Sequence, residues 1–196
     1  MTREAFDVRR WARWLGTFVG FPLAGVTARA AAGNIDSTTA AAVGGLVGGA
    51  VLGAVQVAIA GTAPADRVRW IGATAVGLGA GLALGATVVD FQTDTASLVA
   101  MGALSGAVVG TAQAASIPMT TLDRVLWALA TPVLWAGGWL ITSQVIVDAE
   151  RQHAVFGSSG ALVVSALSGL LHAARTPVGG DASGLAASST GSAVAR

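Results

Sequence analysis

The chain contains no cysteine, no lysine and no tyrosine, and only 11% of its 196 residues are charged. Without cysteine it cannot form disulfides, thiolate metal sites or a thiol nucleophile. Soluble domains carry about 25% charged residues, whereas this chain is 54% hydrophobic and has a mean hydropathy of +0.70. The composition therefore predicts a membrane protein, with the lipid bilayer as its main partner.

Six apolar stretches are long enough to cross a bilayer core of roughly 30 Å, which takes about 20 helical residues. They cover about 14–32, 39–61, 68–89, 95–117, 122–147 and 154–174. Strands of a membrane barrel are shorter and alternate in polarity, so these stretches predict helices. We expect an all-α membrane fold in which a six-helix transmembrane domain occupies residues 14–175.

The arginines indicate the orientation, because cytoplasmic segments are enriched in basic residues. With the N-terminal segment 1–13 inside, nine of the eleven basic residues lie on the cytoplasmic side and two, Arg29 and Arg151, lie outside. Six spans then return the C-terminus to the cytoplasm, where the Gly- and Ser-rich tail 176–196 is expected to be disordered. The predicted location is a bacterial inner membrane.

An alternative reading of the first span is a cleaved secretory signal. Basic residues, an apolar run and Ala28-Arg29-Ala30 resemble such a signal and its cleavage site. The internal repeat favours retention of the span, because the first span matches the later ones.

The chain matches itself when it is shifted by 57 residues. Gln56 falls on Gln113, Trp70 on Trp127, and Asp66-Arg67-Val68 on Asp123-Arg124-Val125. Weaker matches extend the pattern to both ends of the chain, where Trp14 corresponds to Trp70 and Ser168 corresponds to Gln113. We therefore expect three parallel two-helix repeats, at about 11–61, 67–117 and 124–174, related by an axis along the membrane normal.

Small residues at a spacing of four let membrane helices approach closely, which is the glycine-zipper pattern. The predicted packing residues are Gly45, Gly49, Gly53, Gly102, Gly106 and Gly110. Gln56, Gln113 and Ser168 occupy equivalent positions and are predicted to form one polar layer near the cytoplasmic face. This layer either links the helices through hydrogen bonds or forms a ring of side chains that contacts a solute.

Trp14, Trp70 and Trp127 each begin an odd-numbered span beside arginines, and Trp11 lies one turn before Trp14. We expect them to be interface anchors in the lipid headgroup region. Trp135 and Trp139 lie deeper, either in the core or on a lipid-facing ridge. Pro22 and Pro132 fall within spans and predict kinks.

No pattern in the sequence predicts a catalytic, cofactor or metal site. The two histidines, His153 and His172, fall at opposite membrane faces on the expected topology, so they cannot share a metal or a proton relay. The phosphate-loop and nucleophile-elbow patterns are absent. A net charge of only +1, with no single basic face, gives no indication of nucleic-acid binding.

The repeated pattern resembles a set of uncharacterised bacterial polytopic membrane proteins. In that set a span opened by Trp alternates with a span of the form GxxxGxxAQ, and the last copy replaces Gln by a hydroxyl residue. The matching residues here are Gln56, Gln113 and Ser168, although the Trp that follows Gln in that set is absent. The resemblance covers most of residues 11–175. It implies a bacterial membrane and the tandem fold, but no activity.

Two functions remain open from the sequence. The first is a non-enzymatic scaffold or accessory subunit that acts through helix contacts with a second copy or another membrane protein. The second is a small-solute transporter or channel with its path along the pseudo-threefold axis. A carboxylate at mid-membrane, usual in ion-coupled carriers, is missing from every span. A tightly filled axis favours the scaffold, and a continuous polar cavity favours transport.

Overall fold

The structure, a computed structural model, describes residues 6–61, 63–145 and 155–174, and within these ranges it contains helices and no strands. Seven α-helices follow one another: α1 Val8–Gly16, α2 Gly20–Ala32, α3 Thr38–Ala60, α4 Pro64–Val88, α5 Thr95–Ser116, α6 Thr121–Ser143 and α7 Ser158–Ala174. A 3-10 turn, Thr17–Val19, joins α1 to α2 without leaving the helical column. The expectation of an all-helical chain is confirmed.

Five helical columns are long and apolar enough to cross a membrane: Val8–Ala32, Thr38–Ala60, Ala65–Val88, Thr95–Ser116 and Thr121–Ser143. They coincide with the first five predicted spans to within a few residues, apart from an earlier start of the first. The sixth column, α7, has 17 residues, which gives a length of about 26 Å at 1.5 Å per residue. The predicted disordered tail and the loop that carries His153 lie outside the described residues.

Polar side chains at the loop ends explain where several helices begin. Asp7 accepts hydrogen bonds from the backbone N–H groups of Arg9 and Arg10 at the start of α1, and Ser37, Asp94 and Thr120 cap α3, α5 and α6 in the same way. Hydrogen bonds from the side chain and backbone of Ser97 lower the pKa of the Asp94 carboxyl. Gly61 ends α3 in the left-handed conformation, with φ +77°, which glycine adopts without steric cost.

The two prolines have different effects. The first column passes through its 3-10 turn just before Pro22, where the α-helical pattern is interrupted. Helix α6, in contrast, continues as one helix through Pro132.

The helices pack in chain order, and the last returns to the first. Each column contacts the next one along the chain, and α7 packs against α1, so six columns form a closed bundle. The predicted glycines lie at close contacts between helices: a Cβ built at Gly45 would stand 2.6 Å from the Leu78 carbonyl oxygen, and one at Gly106 would stand 2.9 Å from the Thr131 carbonyl oxygen. Backbone therefore touches backbone between α3 and α4 and between α5 and α6.

Two groups of buried apolar side chains occupy the interior. The smaller group lies toward the start of the first column, α4 and α6, and is built around Trp14, Trp70 and Trp127. The larger group occupies the rest of the bundle and includes Phe21, Trp135 and Phe156. The smaller group carries most of the buried polar contacts, and it is the candidate site.

Candidate functional site

Three indole rings meet inside the bundle, from the first parts of the first column, α4 and α6. The ring centroids of Trp14 and Trp70 are 6.1 Å apart, those of Trp14 and Trp127 are 5.5 Å apart, and those of Trp70 and Trp127 are 6.0 Å apart. Two of the three pairs are edge-to-face, a geometry that the ring quadrupole favours. We call these three residues the Trp triad. Each is only 3% exposed.

Each ring of the Trp triad donates its N–H to a polar side chain on a neighbouring helix. Trp70 Nε1 donates to Gln56 Oε1 at 2.8 Å, and Trp127 Nε1 donates to Gln113 Oε1 at 3.1 Å. Trp14 Nε1 donates to Ser168 Oγ at 2.8 Å, across 154 residues of sequence. The same contact is thus made three times, and its third instance joins the first helix to the last.

Gln113 links two of these contacts. Its Nε2 donates to Thr74 Oγ1 at 2.9 Å and lies 3.4 Å from Gln56 Oε1, while its Oε1 accepts from Trp127. A side-chain amide has two donor hydrogens and two acceptor lone pairs, so Gln113 connects α4, α5 and α6 and reaches Gln56 on α3. Both glutamines are buried, at 6% and 2% exposure for Gln56 and Gln113.

A threonine follows each member of the Trp triad and bonds to its carbonyl. Thr74 Oγ1 donates to Trp70 O at 2.8 Å, and Thr131 Oγ1 donates to Trp127 O at 2.7 Å, each four residues back. Thr17 makes the corresponding bond to Trp14 O at 2.7 Å, three residues back. The hydroxyls are therefore satisfied within their own helices, as is usual for threonine in apolar surroundings.

The first and last columns share two further contacts beside the Trp triad. The His172 ring stacks on Trp14 with centroids 4.3 Å apart and planes 21° apart. Trp11 Nε1 donates to the Ala166 carbonyl oxygen at 2.9 Å. Gly169 makes room for both tryptophans, because a Cβ there would lie 3.0 Å from Trp11 Cδ1 and 3.2 Å from Trp14 Cδ1.

A small cavity of about 20 Å³ adjoins the Trp triad. Its polar lining comes from both glutamines, Ser165, Ser168 and the hydroxyl residues Thr17 and Thr131, and its apolar lining includes Phe21 and Trp135. A cavity needs about 10–15 Å³ to hold one water molecule. The space therefore accommodates one water, with polar groups around it, and no larger solute.

Aromatic rings close the bundle on the far side of this cavity. Phe156, which is 1% exposed, stacks on Phe21 with centroids 4.7 Å apart and meets Trp135 edge-to-face at 5.5 Å. Trp139 lies 6.2 Å from Phe156. Trp135 and Trp139 are thus core residues, which decides between the two placements open from the sequence.

The structure places the predicted anchors in an unexpected position. Trp14, Trp70 and Trp127 face the interior and each other, not the lipid-facing surface that a headgroup anchor occupies. The reason is that each N–H finds an acceptor on the adjacent helix, so burial leaves no unpaired donor. Gln56, Gln113 and Ser168 do come together as one layer, where they serve as the acceptors.

The role of the three threonines could not be read from the sequence, although the match of Thr74 to Thr131 in the repeat was the available signal. In the described part of the chain, no group of three His, Asp or Glu side chains is arranged to hold a metal ion. The arrangement of the site provides hydrogen bonding and aromatic packing among buried groups.

Comparison with protein-family models, curated proteins and solved structures found no match. The resemblance to tandem two-helix bacterial membrane proteins therefore stays a prediction.

Proposed function

We propose that this chain is a six-span inner-membrane protein with both termini in the cytoplasm, built from three parallel two-helix repeats. We propose further that it acts as a non-enzymatic scaffold or accessory subunit through its helix surfaces. The five long apolar helices support the membrane location. The threefold recurrence of the Trp–Gln/Ser hydrogen bond supports the repeat, and α7 is assigned as the sixth span because it packs alongside α1.

One observation carries the scaffold proposal: the middle of the bundle is occupied by side chains. The Trp triad fills one end, and Phe21, Trp135 and Phe156 fill the region beyond the 20 Å³ cavity. A solute path needs a polar passage that persists or opens. Here Gln56, Gln113 and Ser168 each accept a hydrogen bond from an indole N–H, which favours a fixed interior over a moving one.

The outer surface supports the same proposal. Large apolar side chains on it are exposed, among them Val68, Val76, Leu129 and Val133. In a bilayer such side chains face lipid or another membrane protein. A fixed interior with large apolar side chains on its exterior is suited to presenting helix faces to a partner.

Transport is the second candidate, and the polar cavity is the observation that favours it. Gln56, Gln113 and Ser168 line a space for one water molecule in the middle of the bundle. For a solute to pass, at least one ring of the Trp triad must break its hydrogen bond and move aside. Gln56, Gln113 and Ser168 would then line the opened path.

A flux assay distinguishes the two functions. Wild-type protein and the Gln56→Ala/Gln113→Ala double variant are reconstituted in liposomes and compared with empty vesicles, with Gln92→Ala, an exposed loop glutamine, as the matched control. We expect no flux above empty vesicles for ions, glycerol or amino acids. Flux that exceeds the empty vesicles and changes in the double variant, but not in the control, would establish transport and overturn the scaffold proposal.

The scaffold also needs a positive test. Tagged wild-type protein is extracted from native membranes in polymer nanodiscs, and the stoichiometry of the particles is measured by mass photometry and mass spectrometry. We expect a complex of fixed composition, with a second copy or another membrane protein. Extraction of the chain as a monomer, with no stoichiometric companion, counts against it.

A further inference from the structure

A groove opens on the side of the bundle between α2 and the residues that lead into α7. It has a volume of about 230 Å³ and is lined by Phe21, Pro22, Gly25, Val26, Arg29, Val155, Phe156 and Gly157. It is more than ten times larger than the cavity at the Trp triad.

The groove arises because the first and last columns pack tightly at one end only. At the Trp triad, Trp14 is bonded to Ser168 and Gly169 lies against both tryptophans. Toward the other end α2 makes few contacts with α7, far fewer than α1 makes. Gly25 lies on the wall of α2, where the missing side chain leaves space beside Val155. The groove lies between the two columns there, and Phe21 and Phe156 form its floor.

The groove is apolar and faces outward. Val26 on its rim is 69% exposed, so in a bilayer the opening faces lipid tails. The walls are formed by aliphatic and aromatic carbon together with the glycine backbone. A polar solute would gain no hydrogen bonds in such a space, whereas an acyl chain fits it without desolvating any polar group.

The one charged residue in the lining is Arg29, in the last turn of α2. Its Nη1 donates to Asn34 Oδ1 at 2.9 Å, which orients the guanidinium, and the residue is exposed. A guanidinium carries five N–H donors in a planar fork that matches phosphate. A cation at the membrane-water end of an apolar groove complements a phosphate headgroup that continues into a hydrocarbon tail.

We propose that this groove is a binding site for an anionic phospholipid, with one acyl chain along Phe21, Gly25 and Phe156 and the phosphate on Arg29. The site depends on the membrane location and not on the scaffold proposal. A lipid held there would occupy the part of the interface between the first and last columns that protein side chains leave open.

The test uses the full-length chain in phosphatidylcholine vesicles that contain a trace of phosphatidylglycerol with a photoreactive diazirine in its acyl chain. After irradiation, labelled peptides are mapped by mass spectrometry. We expect labelling concentrated at residues 21–29 and 155–157. Labelling spread evenly over the exposed faces of all helices overturns the proposal.

Two variants examine the two halves of the site. Gly25→Leu places a side chain in the groove and should lower labelling at least about fivefold, while Gly137→Leu, where an added Cβ meets nothing within 4 Å, should leave it unchanged. Arg29→Gln should lower labelling by the phosphatidylglycerol probe about fivefold, because a basic residue near the surface contributes about 1 kcal/mol to anionic lipid binding. A phosphatidylcholine probe should respond less.

Each remaining outcome is decisive. Equal labelling of wild type and Gly25→Leu, with both proteins monodisperse, rules out the groove as the site. If Gly25→Leu fails to fold, the labelling map of the wild-type protein and the Arg29→Gln variant still test the proposed lipid site. Equal loss of both lipid probes in Arg29→Gln contradicts the preference for an anionic lipid. Photo-cross-linking from a photoreactive amino acid introduced at Val26 to residues 146–154 would identify the chain itself as the occupant and overturn the proposal.

Discussion

Trp14 and Ser168 lie 154 residues apart in the sequence and are joined by a buried hydrogen bond of 2.8 Å. The bond connects the first helical column to the last, and the stacking of His172 on the same indole ring strengthens that contact. A second indole hydrogen bond, from Trp11 Nε1 to the Ala166 carbonyl oxygen at 2.9 Å, joins the same two helices. Two indole N–H groups, one hydroxyl and the packing around them therefore contribute to the closure of the bundle.

The contribution of this closing bond can be measured directly. We expect Ser168→Ala to lower the free energy of unfolding by about 1 kcal/mol, because Trp14 Nε1 loses its acceptor in an apolar interior. A double-mutant cycle with Trp14→Phe should give a coupling energy near 0.6 kcal/mol, the average for hydrogen bonds within membrane bundles, and no more than about 1.7 kcal/mol. The measurement is reversible unfolding in mixed micelles. Ser143→Ala, on the exposed side of α6, is the control, and a coupling of zero contradicts the structure.

Gln113 should be more costly to replace than any exposed glutamine. Gln113→Leu removes the acceptor of Trp127 and the donor to Thr74 while keeping the volume similar. Leaving buried polar partners unpaired costs about 1–3 kcal/mol, so we expect a loss in that range in the same unfolding assay. Gln92→Leu, in an exposed turn, should change the free energy by no more than about 0.5 kcal/mol. Equal effects for the two variants would show that the layer is not bonded as described.

The glycines of α3 should be intolerant of even one methyl group. A Cβ at Gly49 would stand 2.5 Å from the Thr74 carbonyl oxygen, so Gly49→Ala must push α3 away from α4. Overpacking of this kind costs about 1–3 kcal/mol. At Gly72 an added Cβ meets nothing within 4 Å, and Gly72→Ala should be neutral or stabilising because alanine favours helix. Similar losses at both sites would contradict close packing of α3 on α4.

The six-span topology can be tested by single-cysteine labelling, because the natural chain has no cysteine to remove. We expect a membrane-impermeant maleimide to reach two groups of positions from opposite sides. The cytoplasmic group is Val8, Ala63, Pro118 and Ala174, and the outer group is Asn34, Gln92 and Ser158. Labelling of Ser158→Cys and Ala174→Cys from the same side would show that α7 does not span the membrane.

The helical fold was predictable because its determinants are local. The length of the apolar stretches predicted the five long columns, and capping residues such as Ser37 and Asp94 determine where helices begin. The boundaries shifted by a few residues, since capping side chains and not hydropathy decide the first helical residue. Span six was harder to place, because part of the apolar stretch predicted for it, residues 155–157, is not helical in the structure.

The candidate site was predictable in its membership and not in its arrangement. The repeat singled out Gln56 and Gln113 as equivalent positions, and the structure brings them within 3.4 Å of each other. The tryptophans were assigned to the membrane surface because an indole ring beside arginine has that preference in isolation. Only the positions of the neighbouring helices show that each indole N–H has a hydrogen-bond acceptor.

The sequence by itself determined that this chain is helical, apolar and built around small residues, because those properties follow from composition and spacing along one helix. The tertiary structure decided that the tryptophans point inward, that the bundle closes through Trp14 and Ser168, and that a groove remains beside Arg29. These outcomes depend on which helix faces meet. A contact between residues 154 positions apart does not affect the local periodicity of the sequence, because the contact forms only when the bundle assembles.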